Sequence, residues 1–229
     1  MVFRILAIVC IAACALVGCG HSYHWSKSHP LYKKPPYANL AIVGTDEAFV
    51  LTRSAWFAKK LGWNPDSIQL KATAFCEEIF LNELRRAYPT FVRIPDEQYK
   101  QLPEESQKLD DRIFMKGRLP EQGVALKDSA GNVPPYILIL HEFIVGTDLK
   151  RETYFDYALI HNENTGKKTS KNISAIVSYT LWDNEKQRPL FSAVDEIQHP
   201  IVVPTPGDLE ALVRSAVKQI RINLYGGAS

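Results

Sequence analysis

Hydrophobic positions recur along this chain in three different rhythms. From Ile5 to Val17 they are continuous. Between Ala72 and Tyr88 they follow a helical stripe (Ala72, Phe75, Cys76, Ile79, Phe80, Leu84, Ala87, Tyr88), while Glu77, Glu78, Arg85 and Arg86 take the other side and Pro89 ends the segment. Asn64-Pro65-Asp66 ahead of it supplies a cap, a first-turn proline and an acid for the helix dipole. A second stripe, Leu209, Leu212, Val213, Ala216, Val217 and Ile220, opens at Thr205-Pro206-Gly207-Asp208 and closes at Gly226-Gly227. The third rhythm is alternation. Ile173, Ala175, Val177, Tyr179 and Leu181 alternate with Ser174, Ser178 and Thr180, and Asp183 to Gln187 turns the chain into Leu190 to Ile197, which predicts a β-hairpin with one buried face.

Shorter apolar runs fill in the order. Asn39 to Gly44 and Thr90 to Ile94 predict strands, Ser54 to Leu61 a short helix closed by Gly62, and Asp96 to Leu102 a helical segment. Tyr136 to Val145 is the strongest strand, apolar enough for burial on both faces. Tyr154 to Ile160, followed by an Asn164-Thr165-Gly166 turn, is a further strand candidate. From Pro103 to Pro135 the chain is polar and rich in Gly and Pro, which predicts a long insertion with some helix near Glu104 to Phe114. The expected fold is α/β (α+β), a two-layer sandwich whose mixed, mainly antiparallel sheet carries two amphipathic helices on one face.

The continuous run changes the picture from fold to location. Arg4 precedes it and the chain turns polar after Cys19, the layout of a secretory signal peptide. At ~1.5 Å per residue the run spans about 20 Å, short of the ~30 Å hydrocarbon core of a bilayer. Leu16-Val17-Gly18-Cys19 has the spelling of a bacterial lipobox, in which small residues admit the peptidase between Gly18 and Cys19 and the thiol accepts the diacylglyceryl group. Ile11-Ala12-Ala13-Cys14 fits the same pattern, but cleavage there would leave an apolar stub, so Cys19 is the expected lipidated N-terminus. Gly20 after it points to the outer membrane, facing the periplasm. Residues 1–18 are then the signal peptide, 19–37 a lipid-anchored flexible tether of up to about 55 Å at ~3.1 Å per residue, and 38–229 a single globular domain.

Composition narrows the chemistry. The 229 residues are 46% hydrophobic and 23% charged, and 27 Lys+Arg against 25 Asp+Glu leave a formal +2, so no charge excess favours nucleic acid. After processing Cys76 is the cysteine left without lipid; on an apolar helix face it reads as a buried, inert thiol. His21, His24 and His29 in the tether have no helix to bring them together, and neither a metal nor a cofactor is expected.

The strand Leu40-Ala41-Ile42-Val43, the helix Cys76 to Tyr88, the segment Phe91 to Asp96, the buried Tyr136 to Leu140 and the hairpin from Val177 to Ala193 follow in a familiar order. Together they resemble the periplasmic lipoprotein superfamily that includes the penicillin-binding-protein activator LpoB, the curli-secretion lipoprotein CsgG and the N-terminal domain of TolB. The resemblance covers roughly residues 38–225 and is topological. It implies an envelope protein that binds or assembles partners, with no residue carried over as functional. The lipopolysaccharide-assembly lipoprotein LptE is an alternative scaffold of the same type.

Catalytic patterns are sparse. His141-Glu142 begins like a zinc-protease helix, but Val145 stands where the second His belongs and the segment reads as strand. Cys76 with His141 would need a solvated thiolate, and Asp110-Asp111, a pair that could bind a cation, reads as two acids of a charged insertion facing water. The expectation is a non-catalytic binding or assembly module of the cell envelope, with an envelope hydrolase as the less favoured reading. Its affinity would come from aromatic side chains, with Trp56 and Phe57 as the partner-binding candidates and Trp182 as core.

Overall fold

A computed structural model describes residues 22–30, 32, 39–110, 113–147, 172–201 and 203–225. The signal peptide, Gly18, Cys19, the Tyr154 to Ile160 candidate with its turn, and Gly226-Gly227 lie outside them. The described residues form an α/β fold around a mixed seven-stranded sheet. Its strands are β1 (Ser22–Ser28), β2 (Leu40–Val43), β3 (Phe49–Leu51), β4 (Val92–Arg93), β7 (Tyr136–Thr147), β8 (Asn172–Asp183) and β9 (Arg188–Pro200). Two more, β5 (Glu104–Lys108) and β6 (Phe114–Arg118), make a separate hairpin. The helices are α1 (Thr45–Ala48), α2 (Ser54–Leu61), α3 (Ile68–Ala87), α4 (Asp96–Lys100) and α5 (Pro206–Tyr225).

The sheet order is β1-β9-β8-β7-β2-β4, with β3 also alongside β7. β2 and β3 run parallel to β7, whereas β8, β9 and β1 continue antiparallel. α3 and α5 cover one face. Ala72, Cys76, Phe80 and Leu84 of α3 and Leu209 through Leu224 of α5 join Leu138, Leu140, Phe143, Val145 and the odd-numbered Ile173 to Leu181 in one apolar core. A bulge keeps β7 in that core. Leu140 pairs with Tyr179 and Glu142 with Ser178, so His141 is the extra residue and the parity of the helix-facing positions switches from even to odd across it. Thr205 and Asp208 start α5 with a reciprocal cap, Oγ1 of Thr205 accepting from the Asp208 amide at 3.2 Å and Asp208 Oδ2 accepting from the Thr205 amide at 2.8 Å.

Two expectations need correction. The Glu104 to Phe114 segment is not helical: it is β5 and the approach to β6, because Ile113 and Met115 alternate with Phe114 and Lys116 rather than repeating every third or fourth residue. This hairpin lies across the second sheet face, where Leu109, Ile113 and Met115 pack on Ile144, Ile176 and Val194. The insertion is therefore a covering layer for a sheet that the helices cover on one side only.

The second correction concerns the tether. Ser22 to Ser28 pair with Ile197 to Phe191 in unbroken antiparallel register, and the His29 amide extends the ladder to the Leu190 carbonyl at 2.8 Å. Main-chain pairing needs no apolar period, and the helix-facing positions of this strand meet a polar group of β9. The domain boundary thus falls before Ser22, and Gly20 and His21 alone stand between Cys19 and the sheet.

Candidate functional site at the N-terminal strand

Phe191, Ala193, Asp195 and Ile197 form the helix-facing row of β9, so Asp195 puts a carboxylate into an otherwise apolar layer. It is fully buried. A buried carboxylate needs charged or multiple hydrogen-bond donors, because transfer from water otherwise costs several kcal/mol, on the order of the whole folding stability. The fold supplies three donors. His24, directly opposite on β1, places Nδ1 2.6 Å from Oδ1. Tyr179 Oη donates to Oδ2 at 2.9 Å, and the Asn223 amide of α5 reaches Oδ1 and Oδ2 at 3.1 and 3.0 Å. Burial and the adjacent Asp195 charge hold the Tyr179 phenol well above its usual pKa, so it stays a donor.

More contacts strap the same segment down. The His24 ring stacks on Phe191, with centroids 6.2 Å apart. Tyr32 donates to the Leu224 carbonyl at 2.7 Å and lies 5.9 Å from Phe191, and burial together with Tyr225 pushes its phenol up to about 12. The segment that leads to the lipidation candidate is thus bound to β8, β9 and α5 by named polar contacts. The alternation Phe191, Ala193, Asp195, Ile197 was the available signal for this cluster: an acid in phase with a buried row calls for a donor.

Two other polar groupings stand on the second face and its margin. His141 is buried, with Nε2 3.0 Å from Thr180 Oγ1 and Nδ1 3.4 Å from the Tyr99 hydroxyl, and Thr180 Oγ1 lies 3.0 Å from Ser192 Oγ. Burial lowers the His141 pKa to about 3, so the ring is neutral and too weak a base to activate the fully buried Thr180. Gly117 of β6 crosses directly over this ring, and a Cβ there would sit 2.4 Å from Nδ1. At the ends of β2 and β4, Arg93 gathers Asp46, Asp96 and Glu77 at 2.5, 2.8 and 3.1 Å. Asp96 also accepts from the Gly44 amide at 2.6 Å. Burial and the neighbouring Asp96 raise the Asp46 pKa. Among the described residues no three His, Cys, Asp or Glu side chains are arranged to hold a metal.

The two aromatic candidates separate. Phe57 is fully buried in the helix-side core, which corrects its reading as a contact residue; Trp56 is half-buried and packs edge-on against it at 4.9 Å. Trp182 is core on the second face. Cys76 is buried and its thiol is pushed up to about 12 by desolvation. Asp110 accepts from the Ile113 amide at 2.8 Å and shapes the hairpin turn.

No protein-family model matches the chain, and no curated protein matches it. Among solved structures it is similar to a PelC dodecamer from Paraburkholderia phytofirmans, at 13% identity over 91% of this chain and 100% of that one, with a TM-score of 0.45. A single-substitution variant of that dodecamer aligns at 12% identity over the same shares, with a TM-score of 0.39. Both likenesses are distant.

Proposed function

We propose that this chain is a lipid-anchored lipoprotein of the outer membrane, facing the periplasm, that works as a non-catalytic binding or assembly module of the cell envelope. The observation that carries the reading is the N-terminal strand. A lipobox ends at Cys19, and the residues just after it are built into the sheet through seven paired positions and the His24–Asp195 contact. A lipid on Cys19 would hold the domain itself at the membrane rather than a loose leash. The polar groupings described above are spent on internal bonds, which supports a binding role over a reactive one. Binding of an envelope partner falls to the exposed surface.

The test is metabolic palmitate labelling of the wild type and of Cys19→Ser, followed by cross-linking of the lipidated protein in intact envelope. Label on the wild type and none on Cys19→Ser, with a discrete cross-linked partner, is the expected result. Label that persists in the variant moves the anchor to Cys14, and turnover of an envelope polymer by the purified protein would replace the module with an enzyme.

A further inference from the structure

A sheet edge is a row of amides and carbonyls that lack strand partners, and this fold blunts the edges at β4 and β3 but not the one at β1. β4 is two residues long, with Pro95 just beyond it. The outer side of β3 is closed by a side chain, the Gln69 amide group bonding the Leu51 carbonyl and amide at 2.9 and 3.1 Å. β1, in contrast, runs for seven residues without a proline or a bulge, and among the described residues no strand pairs with its outer side. Tyr23, His24, Ser26, Lys27 and Ser28 are exposed.

The ladder to β9 fixes which main-chain groups point outward. The His29 amide donates to the Leu190 carbonyl at 2.8 Å, and in an antiparallel pair every second residue faces its partner strand in the same way. Tyr23, Trp25 and Lys27 therefore spend their amides and carbonyls on Glu196, Val194 and Ser192, while those of Ser22, His24, Ser26 and Ser28 face away from the sheet. The side chains of Tyr23, Trp25 and Lys27 share the second sheet face. There Trp25 packs on the cluster of Ile144, Ile176 and Val194, and its ring stacks with that of Tyr23 at 6.1 Å.

We propose that β1 pairs antiparallel with β1 of a second copy of this chain, about a two-fold axis at Trp25. The strand is self-complementary in that register. Ser22 falls opposite Ser28 of the second copy and His24 opposite Ser26, so the outward amides and carbonyls of both strands meet from end to end. A slip of one residue sets outward groups against positions whose main chain is already used by β9, and a slip of two leaves outward groups unpaired at the strand ends. The side chains suit the same register. Trp25 meets its own counterpart in a non-hydrogen-bonded pair, the closer kind, and on either side Tyr23 meets Lys27, a ring opposite a cation. The axis of such a pair stands along the sheet normal, so the two strand ends that follow Cys19 lie at one height, as lipids in a single leaflet require. One strand pair is small beside the ~1,200–2,000 Å² of a stable soluble interface, so the pairing belongs to copies concentrated in one membrane. The pairing itself comes from the strand; the reading of Cys19 as an anchor adds the shared membrane.

Tyr23→Cys and Lys27→Cys, made in separate full-length copies and co-expressed, test the register in intact envelope under mild oxidation. Both side chains are exposed, Cys76 is buried, and the unchanged chain sets the baseline for any thiol left at Cys19. A disulfide-linked dimer several-fold more abundant with the two variants together than with either alone is expected, because each new thiol lies opposite the other and ~13 Å along the strand from its own counterpart. Ser26→Pro in both copies removes an outward amide and no bond to β9, so it should abolish the cross-link and leave the thermal unfolding midpoint of the purified protein unchanged. Dimer at the baseline level, equal dimer in mixed and unmixed cells, or a cross-link that survives Ser26→Pro overturns the pairing. A midpoint lowered by Ser26→Pro means that the Ser26 amide is already bonded within its own chain, which overturns the open edge. Palmitate label on Cys19 is read in the same cells, and its absence beside an intact register-specific dimer overturns the anchor while supporting the pairing.

Discussion

The two faces of the sheet solve the same burial problem differently. Under α3 and α5 the side chains form one continuous apolar cluster, with Asp195 as its polar intrusion at the β1 edge. On the other face two smaller clusters stand apart. Ile137, Ile139, Trp182, Leu126 and Tyr99 of α4 belong to one, and Leu109, Ile113, Met115, Ile144, Ile176 and Val194 to the other. Between them runs a polar line of His141, Thr180 and Ser192. A long amphipathic helix brings its own hydrogen bonds and one broad apolar stripe, so it can seal a sheet with apolar contacts alone. A two-stranded hairpin and a loop bring fewer apolar side chains, and the polar line beneath them must be satisfied bond by bond.

The difference shows first in core truncation. Phe143→Ala, which opens a cavity between β7, Phe49 and Phe80, should cost about 3–5 kcal/mol and lower the denaturant midpoint of the whole domain. Met115→Ala under the hairpin should cost about 2–3 kcal/mol, because the thinner layer collapses more readily into the gap. Equal losses would erase the distinction between the faces.

Acid comes next, and it acts on the second face. His141 has a folded pKa of about 3 against ~6.5 when unfolded, so between those values the unfolded chain binds a proton that the folded chain does not. Its contribution is present in full above about pH 6.5 and is lost as pH falls toward 3, at up to ~1.4 kcal/mol per pH unit. Chemical unfolding across this window should show that slope, and His141→Gln should flatten it by up to one proton. An unchanged slope would mean that the ring is open to water in the folded state.

Legibility divided along the same line. Both long helices, the β8–β9 hairpin, the buried β7 and the burial of Cys76 could be read from periodicity, since a broad apolar stripe leaves a strong trace. The hairpin of the second face left almost none. Glu104 to Lys108 has no apolar alternation, and Ile113 and Met115 make too short a pattern beside Gly117. β1 escaped for another reason: an edge strand is held through its backbone, and its inward His24 is complementary to one carboxylate far along the chain. Trp56 and Phe57, adjacent and alike in sequence, differ in burial only because α2 turns one of them into the core.

His24→Ala sharpens the comparison at the buried carboxylate of the helix face. It leaves Asp195 buried with Tyr179 and Asn223 as donors, and since the His24 side chain is 34% exposed, screening tempers the loss to about 1–2 kcal/mol. In a double-mutant cycle with Asp195→Asn the two changes should couple by ~1 kcal/mol. Additive effects would show that backbone pairing alone holds β1, and that the imidazole is incidental to how this edge strand is fixed.

The smallest expected effect is a reactivity that should barely register. Cys76 lies on the stripe that α3 turns toward the sheet, 3% exposed, and desolvation lifts its thiol to about 12, so at pH 8 almost no thiolate is present to attack a reagent. In the processed protein with Cys19 blocked by its lipid, its modification should wait for global unfolding, because α3 cannot leave the sheet without opening the main core. A thiol placed by Met115→Cys is equally buried in the folded state, but the β5–β6 hairpin covering it is paired only with itself and spans ten strand residues, so it can lift while the helix face stays intact. Its labelling should run ahead of unfolding, with a weaker dependence on denaturant. Matching rates at the two thiols would mean that both layers leave the sheet in one cooperative step. Faster labelling at Cys76 would reverse the order of stability assigned to the two faces.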